Sequence, residues 1–197
     1  MDGGTLLATL ARGADLTAPM RVAAVLFVTA LTAAAAQISI PLPFTPVPFT
    51  LQPMVVLLGG AALGSRLGMS SQALYLLLGI AGLPMFAASP VLPQGFARLL
   101  GPTGGYLLSY PFAAFAAGWL AERSFDRRYL TSLLAMAAGL SIVFACGVVW
   151  LAWFAQPVPA GFSAALRTGL IPFLAADAIK VALAATVLPA VWRVIGR

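Results

Sequence analysis

Long apolar blocks, interrupted by clusters of proline and glycine, dominate the pattern along this chain. They predict six helical membrane spans. The first covers about 20–40 and is rich in alanine and β-branched residues. A proline-dense loop, Pro41-Leu-Pro-Phe-Thr-Pro-Val-Pro48, follows it, and the second span covers about 50–63. Gly64-Ser65-Arg66 turns the chain into the third span, about 67–82. After an irregular stretch, 83–103, come the fourth span at 104–120, the fifth at about 130–155 and the sixth at about 166–194. A full crossing takes ~20 residues. Spans two and three are therefore expected to be broken or offset, with protein covering the missing turns.

Composition makes the membrane assignment firm. Of 197 residues, 61% are hydrophobic and 8% charged, against about 25% charged in soluble domains. An ordinary soluble fold is excluded. The fold expected is all-α: a single polytopic membrane domain over 1–197, with a cytoplasmic tail at 1–19 and a six-helix bundle at 20–194. The tail lacks the order of a signal peptide and suits a short interfacial helix or a frayed end. The single Cys146 allows no disulfide within the chain.

Net charge is +6 with no histidine, an excess that suits cytoplasmic loops better than nucleic acid. Placing both termini inside puts Arg12, Arg21, Arg66, Arg123, Arg127, Arg128, Arg193 and Arg197 in the cytoplasm. Only Arg98 and Arg167 fall outside, and Lys180 lies within the membrane. The opposite orientation would invert that ratio, so the expectation is N-in, C-in. The irregular external connections mark the outer half as the ligand side, since non-helical backbone near membrane depth is tolerated where it lines a cavity.

Asp177 and Lys180 are the only ionisable side chains in the middle of the last apolar segment. A charge at the bilayer centre costs roughly 2.5–3.5 kcal/mol on insertion scales, and residues three apart share a helix face. The pair either neutralises itself as a structural ion pair or binds a polar group with N–H and C=O edges, such as a urea or amide. The prolines of 41–48 make that loop stiff: it is either a rigid linker or a lid presenting Phe44 and Phe49. Gln52 either bonds the loop backbone or points into the cavity. Gly101-Pro-Thr-Gly-Gly-Tyr106 marks a loop-to-helix entry and lacks the Gly-Lys-Ser/Thr of a phosphate loop. Arg98 and Arg167 could each meet a ligand carboxylate or a lipid headgroup. Span one carries small residues four apart (Thr29 with Ala33, Ala30 with Ala34, Thr32 with Ala36), a pattern for close helix approach. No metal cluster, Walker motif or Ser-His-Asp set is present in the sequence, so an enzyme would have to rest on Asp177 and Lys180 alone.

Pro-Phe-Thr-Pro-Val-Pro-Phe-Thr-Leu-Gln (43–52), Gly-Leu-Pro (82–84), Gly-Pro-Thr-Gly-Gly-Tyr (101–106) and Asp-x-x-Lys (177–180) resemble the BioY family, the biotin-specific substrate-binding subunits of energy-coupling factor transporters. The resemblance runs from about 20 to 193. It implies six helices with both termini inside, an outward pocket for biotin beneath the loop after helix one, and a multi-pass place in the inner (plasma) membrane. It implies partners as well, namely a transmembrane coupling subunit and two cytoplasmic ATPases. No cofactor and no catalysis by this chain are implied. On that reading Asp177 accepts from a ureido N–H and Lys180 donates to the ureido C=O. Phe44 or Tyr106 contacts the thioether ring, Gln52 faces the cavity, and Arg98 meets the valerate carboxylate. Ala30 and Ala34 are the closest match to the family's small-residue docking motif. The alternatives are another vitamin-type ligand, an intramembrane enzyme using Asp177 as base, and a purely structural subunit.

Overall fold

The computed structural model describes residues 4–10, 17–89, 92–157 and 159–195. Arg12 and Arg197, used above to orient the chain, lie outside the described residues. The described chain is mostly helical: α1 (Leu6–Leu10), α2 (Ala18–Gln37), α3 (Gln52–Leu63), α4 (Ser65–Ile80), α5 (Ala97–Leu100), α6 (Gly104–Ala121), α7 (Tyr129–Trp153), α8 (Phe162–Gly169) and α9 (Ile171–Ile195). The all-α expectation needs one addition. Two short strands, β1 (Ser39–Ile40) and β2 (Phe49–Thr50), pair antiparallel with Ser39 opposite Thr50 and close the base of the proline loop.

Among the described residues, three helices are long and apolar enough to cross a membrane. They are α2, α7 and α9, with 20, 25 and 25 residues and mean hydropathies of 1.7, 2.2 and 1.8. At 12 and 16 residues, α3 and α4 fall short of a full crossing, as their sequence predicts. They pack against α6 instead. A side chain at Gly60 would meet the Ala114 backbone, and one at Gly118 would meet the Gly64–Ser65 backbone. These two glycines let α3, α4 and α6 touch main chain to main chain. Val56, Leu57, Ala113, Ala114 and Met136 fill the centre. Phe27, Leu134, Ile179 and Leu183 stand exposed on the outer faces of α2, α7 and α9, where lipid is the fitting solvent.

The small residues of α2 divide between two faces. Thr29, Thr32 and Ala36 are buried. Thr29 Oγ1 donates to the Ser71 carbonyl at 2.9 Å, and Gln72 Nε2 donates to Thr32 Oγ1 at 3.1 Å, which fastens α2 to α4. Ala30 and Ala34 face outward, exposed.

The sixth predicted span differs most from expectation, because it is two helices. Pro172 has no N–H and cannot bond the Thr168 carbonyl, and Phe173 N–H turns to Leu170 rather than Gly169. The helix therefore breaks at Leu170. Both freed carbonyls are taken up by distant side chains: Thr45 Oγ1 donates to Thr168 at 2.6 Å, and Tyr106 Oη to Gly169 at 2.8 Å. The break thus anchors the proline loop and one wall of the cavity described below.

The end of the bundle away from the proline loop is closed by the α6–α7 loop. Glu122 accepts from Ser65 N–H at 2.7 Å and from its hydroxyl at 2.8 Å, capping α4 from another element. Asp126 accepts from Trp192 Nε1 at 2.6 Å. The Arg127 guanidinium lies 3.4 Å over the Trp192 ring and donates to the Gly4 carbonyl at 3.1 Å.

Candidate ligand-binding site

One cavity gathers most of the polar residues singled out by sequence. It is lined by α3, α6, α7 and α9, by Val47, Pro48 and Thr50 of the strap that follows α2, and by Phe86, Ala87, Arg98 and Thr103 of the second loop. Gln52, Arg98, Tyr106, Asp177 and Lys180 all line it. Phe44 does not join them. It sits near the tip of a turn closed by Thr45 N–H to the Leu42 carbonyl (3.4 Å), points outward and is 61% exposed. Phe49 lies closer, with the Lys180 ammonium 3.8 Å from its ring centre. Arg167 is not among the lining residues either.

Asp177 and Lys180 are both buried and form an ion pair one helical turn apart on α9. Lys180 Nζ also donates to the Thr50 carbonyl at 2.7 Å. Its three protons thus address Asp177, the strap backbone and the Phe49 face. Asp177 Oδ1 has the ammonium as its ionic partner and no further hydrogen-bond donor among the described residues, so the carboxylate retains acceptor capacity toward the cavity.

Arg98 is 1% exposed, held by α5 in the second loop. Its Nη2 donates to the Ala87 carbonyl, while Nε and Nη1 have no hydrogen-bond partner among the described residues. A buried guanidinium with two open donors costs several kcal/mol unless it is paired, and it fits a carboxylate. Gln52 is buried at the start of α3, donating to Tyr75 Oη at 2.6 Å and accepting from Thr50 Oγ1 at 3.3 Å.

The remaining wall is apolar and aromatic. Tyr106 has its hydroxyl committed to Gly169, so it offers the cavity its ring. That ring is seated against Gly147 and Gly169, where any side chain would collide with it. Tyr110, Phe173 and Phe86 complete the surface. Sequence reasoning passed over these three. Helical spacing could have found two: Tyr110 lies four residues after Tyr106, and Phe173 four before Asp177. The arrangement can hold a small molecule with an anionic end, a compact polar head carrying N–H and C=O groups, and an apolar body.

A family model, several relatives and one solved structure match most of this chain. The BioY family model matches residues 9–197. A "Probable biotin transporter BioY" of Pyrococcus horikoshii is 42% identical over 155 residues, covering 79% of this chain and 85% of that protein. The "Biotin transporter BioY" of Thermotoga maritima is 40% identical over 159 residues, 81% and 88% of the two chains. Among solved structures, the S-component for biotin from an ECF-type ABC transporter superimposes with a TM-score of 0.77 at 27% identity, covering 91% of this chain and 95% of that one. With the family model spanning nearly the whole sequence, the chain belongs to the BioY family.

Proposed function

We propose that this chain captures biotin from the outer side of the membrane, as the substrate-binding subunit of an ECF-type transporter. The observation that carries the reading is the unmet polar capacity gathered in one cavity: the Asp177–Lys180 pair and the half-bonded Arg98, in a lining that also holds the rings of Tyr106, Tyr110 and Phe173. Biotin has a cyclic urea, a thioether ring and a carboxylate in that order. Asp177 accepts from a ureido N–H. Lys180 reaches the ureido carbonyl with the proton that otherwise faces Phe49. Tyr106 and Phe173 contact the apolar rings, and Arg98 takes the carboxylate. A ligand lacking these groups would leave buried charges unmatched, so selectivity should be strong.

The accompanying topology is six crossings in one membrane domain with both termini inside, in the inner membrane. The arginine distribution supports it. The partners are a transmembrane coupling subunit, approached through Ala30 and Ala34, and two cytoplasmic ATPases that supply the energy. The chain is a transport protein and no residue is assigned a catalytic role. Equilibrium binding of a vitamin panel to the purified chain tests the reading. Biotin should bind far more tightly than the rest, and tight binding of another vitamin, or of none, would overturn it.

A further inference from the structure

Tyr75 lies behind the cavity and is fully buried. Its hydroxyl has two partners, Gln52 Nε2 at 2.6 Å and the Met85 carbonyl at 3.1 Å. A backbone carbonyl can only accept, so the phenol proton goes to Met85. The phenol oxygen is then an acceptor toward Gln52, which requires the amide nitrogen at that end of the side chain. The Gln52 carbonyl is thereby turned the other way, toward Thr50, whose hydroxyl donates to it at 3.3 Å. Thr50 and Gln52 both line the cavity, and Tyr75 does not. An amide oxygen accepts two hydrogen bonds, so one place remains after Thr50.

We propose that Tyr75 is a positioning residue that sets ligand specificity through Gln52. It locks the amide with its acceptor toward the ligand, so that the cavity offers two acceptors, Asp177 and Gln52, to the two N–H groups of a cyclic urea. This rests on the reading of the ligand as biotin. The two ends of a glutamine amide have nearly the same shape, so packing alone does not choose between them. The polarity comes from the Met85 carbonyl, relayed by one phenol. With Phe at 75 the amide is free to turn over and present N–H to N–H, and discrimination in favour of a urea is lost. The ring contacts would survive that change: Tyr75 meets Phe86 edge-on at 5.7 Å and Tyr110 at 6.4 Å, and neither contact uses the hydroxyl.

The test is biotin binding to the purified full chain in four forms: native, Tyr75→Phe, Gln52→Ala and the double variant. Absence of biotin binding by the native chain would overturn the ligand reading and this inference with it. Given native binding, Tyr75→Phe should weaken biotin at least about tenfold, yet change affinity less than about threefold in the Gln52→Ala background. An equal loss in both backgrounds, or no loss in either, would overturn the positioning role while leaving the ligand reading intact. A second measurement needs no variant. Two cyclic carbamates, each with one ureido N–H of biotin replaced by oxygen, should both bind the native chain at least about tenfold more weakly than biotin. If either binds as tightly as biotin, that N–H meets no fixed acceptor and the proposal fails.

Discussion

Lys180 Nζ donates to the Thr50 carbonyl at 2.7 Å, joining positions 130 residues apart in the chain. A side chain on the last helix therefore holds down the strap that covers the cavity, while its ion pair neutralises Asp177. Lys180→Met keeps most of the side chain's length but removes the ammonium, and with it the ion pair and the bond to Thr50. Leaving one partner of a buried ion pair unpaired costs about 3–5 kcal/mol, so the variant should unfold at lower temperature in detergent and lose most biotin binding. Adding Asp177→Asn removes the orphaned charge. The double variant should regain much of the lost stability and still fail to bind. Recovery of binding in the double variant would show the pair to be structural only.

Arg98 is expected to read the ligand carboxylate with Nε and Nη1, the donors left open beside its bond to Ala87. A charge-assisted hydrogen bond contributes about 1.5–3 kcal/mol. Arg98→Gln should therefore weaken biotin by roughly tenfold to a hundredfold. Biotin methyl ester, with no carboxylate, should bind native and variant chains almost equally. An ester that suffers the same loss as biotin would show that Arg98 serves the loop and not the ligand.

Much of this was legible in sequence, for physical reasons that vary with the feature. The short second and third spans were visible because length alone decides whether a helix crosses. Asp177 and Lys180 stood out because charge is rare at membrane depth. The break at Leu170 was carried by Pro172, but the apolar run continues across it, so hydropathy alone drew one helix where there are two. Phe44 and Phe49 looked equivalent in the proline loop. Which of them faces inward depends on the turn at Leu42–Thr45 and on the Thr45 bond to Thr168, a contact 123 residues away. Tyr75 was silent because its meaning lies in two partners on other segments, and no local pattern announces them.

The arginine distribution predicts which end of the bundle faces the cytoplasm. With the exposed Cys146 replaced by Ala, a cysteine at Thr131 should react with an impermeant thiol reagent only in inverted vesicles. One at Gln94, exposed in the second loop, should react only in intact cells. Reversed labelling would place the cavity on the cytoplasmic side and remove outward capture.

Asp126 lies in the α6–α7 loop, and burial raises its carboxyl above the usual carboxylate range. Donation from Trp192 and the nearby Arg127 oppose that shift only in part. The unfolded chain then ionises at lower pH than the folded one. The group's contribution to stability is full below the ordinary pKa of about 3.9 and is lost as pH rises through the raised native value. Asparagine keeps an acceptor for Trp192 Nε1 and carries no charge to desolvate. Asp126→Asn should therefore match or exceed native thermal stability at pH 7, with its relative advantage shrinking toward pH 4. A native chain that gains on the variant as pH rises would show that Arg127 outweighs burial.

The last expectation concerns the two faces of α2. Thr29 and Thr32 are engaged with Ser71 and Gln72, so that face holds the bundle together. Ala30 and Ala34 are exposed, small, and one turn apart on the other face, where another helix could approach closely. Replacing both with leucine adds bulk outside the bundle and touches neither the α4 contacts nor the cavity. Biotin binding by the purified chain should stay within about twofold of native. Uptake by cells that supply the proposed coupling subunit and ATPases should fall about tenfold or more, because a close-packed interface tolerates added side-chain volume poorly. Thr32→Leu serves as the contrast. It buries a leucine against Gln72 and should lower stability and binding together. If the alanine variants lose binding as well, α2 contributes to the cavity from its outer face. If uptake is untouched, the coupling partner docks elsewhere.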